Sequence, residues 1–570
     1  MSTVKSRIIL LSLIVVSLIA VLSIAALFMT SAGGIALAPH KEAIAQMAMT
    51  EAVEEAEPVF TAKEYDDTGR ASVSNEARIA PTATPGAVDN ARPDFNTEAY
   101  DYIEENSFLE AMSNPLSTFS IDVDTASYSN ARRFLNNSQL PPVDAVRIEE
   151  FINYFNYDYP QPDGEHPFAI VTELSTSPWN ANHQLVHIGI QGQQVDKEAL
   201  PDSNLVFLLD VSGSMNDANK LPLLKQGFRL LVDQLTERDR VSIVVYAGAA
   251  GLVLPSTSGA DQAAILAAID RLEAGGSTAG GAGIQLAYNQ AQENFIPGGN
   301  NRIILATDGD FNVGASSDSE LVRMIEQKRD AGIFLTILGF GTGNYKDAKM
   351  EQLADKGNGN YAYIDTIREA KKVLVSEMAG TLLTIAKDVK IQIEFNPAKV
   401  KAYRLVGYEN RLLAKEDFVD DTKDAGELGA GHTVTALYEI IPASADEKVR
   451  PTAELKYQES TLSNQAQGDE LLTVKFRYKR PDGNQSIEMV SPLMDSATPL
   501  SDTSTNFRFS AAVAEFGLLL RDSTYKGDAG YEQVLELAQG SLGPDVEGYR
   551  TEFVNLVETA QLLDNRQYQE

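Results

Sequence analysis

The sequence predicts an α/β protein with a doubly wound, mostly parallel central sheet, flanked by a β-sandwich and small helical modules. Two observations predict the central sheet. Apolar runs without alternation, such as Leu205–Leu209 and Arg302–Ala306, are typical of strands buried on both faces. Amphipathic segments of helical length alternate with these runs, and parallel strands need such crossover helices. Strand-rich segments on both sides of this module predict the sandwich.

Length and charge limit the classes of function. A chain of 570 residues is too long for one compact core, so several modules are expected. It carries 80 acidic against 47 basic side chains, a formal net charge of −33, which argues against nucleic acid or an anionic membrane surface as a partner. The absence of cysteine excludes disulfides, thiolate metal sites and thiol nucleophiles.

Residues 1–30 read as a membrane anchor or signal segment. Lys5 and Arg7 precede Ile8–Met29, which is uncharged and long enough to cross a bilayer as a helix. Basic residues on the short side predict a single-pass protein of the bacterial inner membrane with its body on the periplasmic side. The alternative is a signal peptide cleaved near Ala36–Ala38, which would release the protein into the periplasm. Residues 31–96, rich in Ala, Glu, Pro, Thr and Ser, are predicted to be a disordered linker.

Residues 97–202 are predicted to form an N-terminal flanking module of mixed structure. Helical patterns cover Tyr100–Met112, Ser127–Asn136 and Arg147–Phe155. Strand patterns cover Phe119–Val123, Phe168–Ser175 and Leu185–Gln191, and the last two are expected to pair in a hairpin or sandwich sheet.

Two residue pairs in this module invite a catalytic or metal interpretation. Asp122 and Asp124 resemble the start of an aspartyl-phosphatase motif, but a lone pair after a short apolar run is more typical of a turn or helix cap. His183 and His187 have the spacing of helical metal ligands, yet their segment has a strand pattern, which separates them by roughly 13 Å. Both pairs are therefore predicted to be structural.

Residues 203–370 are predicted to form the central α/β domain. Strands are expected at Leu205–Leu209, Arg240–Tyr246, Gly251–Leu254, Arg302–Ala306, Ile333–Gly339 and Tyr361–Ile364. Helices are expected at Lys220–Leu235, Asp261–Leu272, Gly283–Asn294 and Asp318–Arg329. The strand Gly251–Leu254 follows its predecessor after a tight turn, which predicts an antiparallel strand at the sheet edge.

Three loops of this domain carry oxygen-bearing side chains. Asp210, Ser212 and Ser214 follow the first strand, Thr278 lies among the glycines of residues 275–281, and Asp308 follows a second strand. Each loop alone is ordinary turn chemistry. Ligands of open α/β sheets bind at the carboxyl ends of the strands, and hard oxygen ligands suit Mg²⁺. The three loops together therefore predict a divalent cation site.

The segments DVSGSM, GGSTAGGAG and ATDGD resemble the metal-ion-dependent adhesion site of von Willebrand factor type A domains. The resemblance implies that Ser212, Ser214 and Thr278 coordinate Mg²⁺ or Mn²⁺, while Asp210 and Asp308 act directly or through water. It leaves one coordination position for a carboxylate supplied by a partner protein. The flanking segments FSIDVDTASYSNARRFL and GAGHTVTALYEI resemble bacterial membrane proteins in which this domain lies between two companion modules.

This resemblance predicts a non-catalytic protein for metal-dependent protein–protein interaction, an adhesion, scaffold or assembly factor at the cell envelope. An open cation with few carboxylate ligands stays electrophilic and binds an incoming anionic oxygen. The alternative is a metal-assisted hydrolase that uses the cation as a Lewis acid. The sequence shows no evident general base or nucleophile nearby and no phosphate-binding GxxxxGK[ST] loop.

Residues 371–495 are predicted to be β-rich and residues 496–570 helical. A helix is expected at Ala370–Ala386, and strands are expected at Val389–Phe395, Lys399–Val406, His432–Ile441 and Leu471–Tyr478. Because strands bracket the α/β domain on both sides, the two flanks are expected to form one sandwich into which that domain is inserted. The helical segments Ser504–Leu520 and Gly530–Leu563 are expected to form a closing cap, with a partner-binding helix as the alternative.

Overall fold

The computed structural model describes residues 98–277, 280–309, 318–343, 345–423, 425–449 and 461–567. The predicted anchor Ile8–Met29, the linker 31–96 and the predicted ligand Thr278 lie outside these ranges. Within these ranges no helix is both long and apolar enough to span a bilayer.

The N-terminal flanking module combines short strands, two helices and a long hairpin. Its elements are β1 (Leu109–Glu110), β2 (Leu116–Ser120), α1 (Ala126–Asn136), α2 (Ile148–Asn153), β3 (Phe168–Ser177) and β4 (Asn180–Gly192). β3 and β4 pair antiparallel, as the sequence predicts.

The helix predicted over Tyr100–Met112 is wrong. Residues 100–108 have no regular secondary structure, and β1 follows them. Hydrogen bonds to distant parts of the chain hold this segment: the Asn106 side-chain amide donates to the carbonyls of Leu405, at 3.2 Å, and Gly407, at 2.8 Å. Tertiary contacts therefore override a local helical pattern here.

The central domain is a mostly parallel sheet with helices on both faces. Its elements are β5 (Ser203–Asp210), α3 (Leu221–Val232), β6 (Arg240–Tyr246), β7 (Ala250–Ser258), α4 (Gln262–Asp270), α5 (Gly280–Glu293), β8 (Asn300–Thr307), α6 (Asp318–Asp330), β9 (Ile333–Phe340), α7 (Asp347–Lys356) and β10 (Tyr361–Ile364). The strand order is β10-β9-β8-β5-β6-β7, and within it only β6 and β7 pair antiparallel. The predicted doubly wound sheet and its antiparallel edge are confirmed.

The central strand β5 is buried along its whole length. Leu205, Phe207 and Leu209 belong to the core that also contains side chains of α3 and α4. Val206 and Leu208 belong to the opposite core, which contains side chains of α5, α6 and α7. Burial on both faces explains why this strand is apolar without alternation.

The C-terminal module begins with short helical turns and continues in strands. Its elements are α8 (Ile367–Lys371), a π-helical turn (Lys372–Ser376), α9 (Met378–Leu382), β11 (Thr384–Phe395), β12 (Val400–Val406), β13 (Gly426–Gly429), β14 (Thr433–Pro442), β15 (Glu470–Lys479) and β16 (Ser486–Met494). The helix predicted over Ala370–Ala386 is confirmed only in part, because helical turns continue to Leu382 with an interruption after Ser376 and the chain enters β11 at Thr384.

Strands from both sides of the central domain share two antiparallel sheets. One sheet has the order β1-β12-β14-β4-β3, and the other has the order β13-β11-β15-β16 with β2 also paired to β11. Side chains of both sheets, such as Ile188 and Ile391, lie in one core. The hypothesis of one sandwich into which the α/β domain is inserted is confirmed.

The chain closes with α10 (Thr505–Leu520), α11 (Tyr531–Gln539) and α12 (Tyr549–Gln567). Phe507 and Phe516 of α10 and Phe553 of α12 share a buried core with Tyr128 of α1 and Phe151 of α2. The predicted closing cap is confirmed. The C-terminal helices cover the helices of the N-terminal module.

Candidate metal centre

Two of the predicted ligand loops meet because the strands before them are parallel neighbours. Asp210 is the last residue of β5, and Asp308 directly follows β8. The two strands pair in register, with Leu209 opposite Ala306. The carboxylates of Asp210 and Asp308 therefore emerge side by side at the carboxyl edge of the sheet.

The glycine-rich loop is tied to the loop after β5 by two backbone hydrogen bonds. Gly213 N donates to Gly276 O at 3.0 Å, and Gly275 N donates to Val211 O at 2.8 Å. These bonds hold residues 275–277 against the Asp210–Ser214 loop. Thr278, the next residue along the chain, is outside the described residues, so its ligand role stays a prediction.

Asp210 is fully buried and held from two sides. One carboxylate oxygen accepts from Ser212 N at 2.9 Å, and the other accepts from Thr307 Oγ1 at 3.2 Å. Burial raises the pKa of Asp210 to about 6, and the nearby charge of Asp308 acts in the same direction. The two carboxylates thus repel each other, and a divalent cation between them would relieve this repulsion.

The two predicted serine ligands point to a common place. Ser212 Oγ and Ser214 Oγ lie 3.0 Å apart, and either hydroxyl can be the donor. Ser212 is buried and Ser214 is half-buried. Ser214 is therefore the more accessible of the two serines.

Asp308 is fully buried, and one of its oxygens lacks a partner. Oδ2 accepts from the Lys220 ammonium at 3.0 Å. Oδ1 has no hydrogen-bond partner in the described part of the chain. A buried carboxylate oxygen without a donor is costly unless something positive meets it. The orphaned oxygen thus fits a cation ligand.

Lys220 also lies at this site and was not predicted from the sequence. This side chain is buried, and its stem packs against Gly341, whose φ of 74° places it in the left-handed region. Lys220 is the N-cap residue of α3, where the helix dipole disfavours a positive charge. A lysine at the N-terminus of a helix beside a predicted carboxylate cluster was the available signal.

The donor set fits a hard divalent cation. It contains two buried carboxylates and two hydroxyls, and oxygen donors of this kind suit Mg²⁺ or Mn²⁺. Among the described residues no group of three or more His, Cys, Asp or Glu side chains is arranged to hold a metal ion. A cation at this centre therefore depends on the hydroxyls of Ser212 and Ser214.

Asp122 and Asp124 make structural contacts, although neither caps the helix that follows them, whose N-cap Thr125 has no side-chain cap hydrogen bond. Both are buried and meet the Arg411 guanidinium: Nη2 lies 3.3 Å from Asp122 Oδ1 and 3.2 Å from Asp124 Oδ2. Asp124 Oδ1 also accepts from Tyr361 N at 2.8 Å. These carboxylates join the flanking module to the central domain.

The two histidines have separate partners. His183 lies between the carboxylates of Glu439 and Glu447, at 2.6 and 2.8 Å. His187 Nε2 lies 2.8 Å from the Tyr159 hydroxyl. Their interactions are those of packed sheet residues, which agrees with the structural role predicted for them.

Three family models match the chain in succession. One described as von Willebrand factor matches residues 94–187, the von Willebrand factor type A domain matches residues 204–375, and uncharacterized protein YfbK, C-terminal, matches residues 380–563. The central match covers the α/β domain with its candidate metal centre. The outer matches cover the two flanks that build the sandwich and cap.

Whole-chain comparison gives the same assignment. The chain is 44% identical over 511 residues to uncharacterized protein YfbK of Escherichia coli, across 87% of each chain. It is 31% identical over 166 residues to human inter-alpha-trypsin inhibitor heavy chain H4, which covers 27% of this chain and 17% of that protein. Among solved structures, von Willebrand factor type A from Catenulispora acidiphila matches with 17% identity and a TM-score of 0.39, over 69% of this chain and 91% of that one. The chain belongs to the YfbK family of von Willebrand factor type A domain proteins.

Proposed function

We propose that this chain is a non-catalytic, metal-dependent binding protein of the bacterial cell envelope. The type A domain indicates protein–protein interaction or adhesion in general. In the proposal, Asp210, Ser212, Ser214, Thr278 and Asp308 hold Mg²⁺ (or Mn²⁺), and a carboxylate of a partner protein completes the coordination.

The observation that carries the proposal is the orphaned oxygen of Asp308. This Oδ1 is buried beside Asp210 and has no hydrogen-bond donor among the described residues. Of the two serines in the neighbouring loop, Ser212 is buried and Ser214 is half-buried. A cation seated here would satisfy the orphaned oxygen and remain reachable from outside.

The composition of the site favours binding over hydrolysis. Two carboxylates leave a divalent cation with residual positive charge, so an anionic oxygen from a partner is attracted to it. Lys220, the basic side chain that the described residues place at the site, donates a hydrogen bond to Asp308 and is therefore not positioned as a general base. Capture of a partner carboxylate is the chemistry that these groups support.

The proposed location rests on the sequence of the N-terminal segment. Ile8–Met29 preceded by Lys5 and Arg7 supports a single-pass anchor in the inner membrane, with the body in the periplasm. Release into the periplasm after cleavage near Ala36–Ala38 is the alternative. N-terminal sequencing of the mature chain distinguishes the two.

A Mg²⁺ titration of the full chain tests the metal site. Calorimetry and thermal melting in EDTA and in Mg²⁺ are expected to show saturable binding that Asp210→Asn abolishes. Asp233→Asn removes a carboxylate from the exposed end of α3 and is expected to leave binding unchanged. Equal Mg²⁺ binding by wild type and Asp210→Asn would contradict the proposed metal site.

A pull-down from solubilised membranes tests the function. Partners are expected to be retained in Mg²⁺, released by EDTA and absent with Asp308→Asn. Recovery of the same proteins by the wild-type chain and by Asp308→Asn would contradict the proposed mechanism. Hydrolysis of a phosphate ester or peptide by the wild-type chain, lost in Asp210→Asn, would instead establish the metal-assisted hydrolase.

A further inference from the structure

One face of α7 in the α/β domain is acidic and lies against the flanking modules. Its carboxylates recur at intervals of four residues, which places them on the same side of the helix: Asp347, Glu351 and Asp355. Asp347 is buried, whereas Glu351 and Asp355 are half-buried. The contacts of this face therefore decide how the α/β domain is held by its neighbours.

Arg147, the N-cap residue of α2, pairs with the first part of this face. Its guanidinium contacts Asp347 directly and lies 3.5 Å from a carboxylate oxygen of Glu351. The same guanidinium contacts Glu150 of its own helix, whose other oxygen accepts from Ser127 N at 2.8 Å. Three carboxylates thus share one buried cation.

Arg411, from the segment after β12, pairs with the second part of the acidic face. It lies 2.7 Å from Asp355 and 3.6 Å from Glu351. Asp122 and Asp124, from the connection between β2 and α1, meet it from the flanking side at 3.3 and 3.2 Å. Glu351 is therefore the carboxylate that both arginines approach.

These eight side chains form what we call the seam cluster: Asp122, Asp124, Glu150, Asp347, Glu351, Asp355, Arg147 and Arg411. Six carboxylates face two guanidinium groups, so full ionisation leaves an excess of four negative charges. The Tyr361 hydroxyl donates to Asp347 at 2.9 Å but brings no positive charge. The boundary between the modules is thus rich in buried carboxylates.

The groups behind α2 do not correct this excess. Glu149 is fully buried, and neither of its carboxylate oxygens has a hydrogen-bond partner in the described part of the chain. Arg521, the cation on this side of α2, is paired with Glu409 at 2.6 Å. Its charge is therefore already engaged with a carboxylate outside the seam cluster.

Buried carboxylates that face one another keep protons at a pH at which exposed carboxylates have lost them. Burial raises the pKa of Glu150 from 4.5 to about 8 against the effect of Arg147, and Asp122 and Glu351 act in the same direction as burial. Burial also raises the pKa values of Asp124 and Glu351. Because these groups interact, the retained protons belong to the cluster and not to one residue.

We propose that the seam cluster is a pH-sensitive latch, which holds the α/β domain against its flanking modules at lower pH and loosens as pH rises. Protonation removes surplus negative charge while the arginine pairs stay in place. Loss of those protons leaves like charges facing each other where water is largely excluded, which favours separation of α7 from Arg147 and Arg411. The inference does not depend on the metal centre.

The direction of the effect follows from the raised pKa of the docked form. In separated modules the carboxylates are solvated, and their pKa values return toward the ordinary 4.5 of a glutamate. Docking therefore takes up protons between about pH 4.5 and about pH 8. Each proton taken up makes the ratio of separated to docked chains rise about tenfold per pH unit in this window.

Distances between spin labels on the full chain test the latch. The chain has no cysteine, so labelled cysteines can be placed in pairs on exposed residues. Gln352→Cys on α7 with Val419→Cys on the sandwich spans the seam, and Gln352→Cys with Gln285→Cys on α5 stays within the α/β domain. Pulsed dipolar spectroscopy in EDTA is expected to show a separated population across the seam that grows about tenfold per unit from pH 6 to pH 8, with an unchanged distance within the domain.

Two variants assign the effect to the seam cluster. Glu351→Gln and Glu150→Gln each have the shape of a protonated carboxyl and cannot ionise. Both are expected to match wild type at pH 6 and to show a separated population about tenfold smaller at pH 9. Glu293→Gln, which removes an exposed carboxylate from the end of α5, is the matched control and is expected to follow wild type.

A distance across the seam that does not change between pH 6 and pH 9 overturns the inference. Equal separation of wild type and both glutamine variants at pH 9 overturns it as well. A parallel change of the distance within the α/β domain would assign the effect to unfolding of that domain, and also contradicts the latch. If one glutamine variant does not fold, the other still decides, because the two residues lie on different modules.

Discussion

The Lys220 ammonium lies 3.0 Å from Asp308 Oδ2 at the carboxyl edge of the central sheet, and both side chains are buried. This lysine places a fixed positive charge beside the proposed Mg²⁺ position. Like charges at short range oppose each other, more strongly where water is excluded. The Lys220 ammonium is therefore expected to compete with Mg²⁺ for Asp308. It stabilises the Asp308 carboxylate when no metal is bound.

Lys220→Met is therefore expected to tighten Mg²⁺ binding by about tenfold, because the competing charge is removed. The same change is expected to lower the free energy of unfolding without metal by about 3 kcal/mol, because Asp308 stays buried without its ion pair. Calorimetric Mg²⁺ titration and urea unfolding in EDTA measure the two effects. Arg229→Met, which removes a half-exposed charge from the same helix, is the control. Weaker or unchanged Mg²⁺ binding in Lys220→Met contradicts the competition.

Gly341 and Gly343 provide a matched pair for testing how Lys220 is positioned. Both have positive φ, 74° and 97°, so alanine is strained at either position by about 1 kcal/mol. A Cβ on Gly341 would overlap the Lys220 stem, whereas a Cβ on Gly343 meets no described atom within 4 Å. Gly341→Ala is expected to lose about 1–2 kcal/mol more unfolding free energy than Gly343→Ala in urea titrations. Equal losses would show that the contact does not hold Lys220 in place.

Most of the candidate site was predictable because its side chains follow parallel strands. The ends of β5 and β8 bring Asp210 and Asp308 together whatever the rest of the fold does. Lys220 was not predicted, because a metal-ligand motif specifies only the side chains that bind the metal. It does not specify the ammonium group that pairs with Asp308 when no metal is bound. Its approach also depends on the loop after β9, which is distant in sequence.

The central sheet was predictable from its apolar runs. The sandwich was predictable only from the presence of strand patterns on both sides of the α/β domain. The register that joins Phe119 to Ile391 links residues more than 270 positions apart, and no local pattern specifies it. The short strand β13 and the edge strand β16 were not predicted. Gly426–Gly429 has too few residues for a pattern, and β16 alternates between half-buried and exposed residues.

Arg411 links the flanking modules to the central domain through ion pairs that are buried at Asp122 and Asp124 and partly exposed at Asp355. It meets Asp122 and Asp124 on one side and Asp355 of α7 on the other. Arg411→Gln is expected to lower the free energy of unfolding by about 3–5 kcal/mol, because it leaves like charges together without their cation. Urea unfolding followed by far-ultraviolet circular dichroism measures the loss. Arg238→Gln, which removes the half-exposed pair with Asp202, is expected to cost less than about 1 kcal/mol, and similar losses for both variants contradict the proposed link.

Glu515 is expected to make the stability of the cap depend on pH. It is buried in α10, and burial raises its pKa from 4.5 to about 7 although it accepts a hydrogen bond from Gly530 N. Between these values the unfolded chain has released the proton that the folded chain keeps, so the contribution of Glu515 to stability falls as pH rises through this window and stays low above pH 7. Glu515→Gln keeps the acceptor oxygen and cannot ionise. Relative to wild type it is expected to gain on the order of 1–3 kcal/mol at pH 8 and little at pH 4.5, measured by urea unfolding across this range. The exposed Glu532→Gln serves as the control, and a Glu515→Gln difference from wild type that does not grow with pH would contradict the assignment.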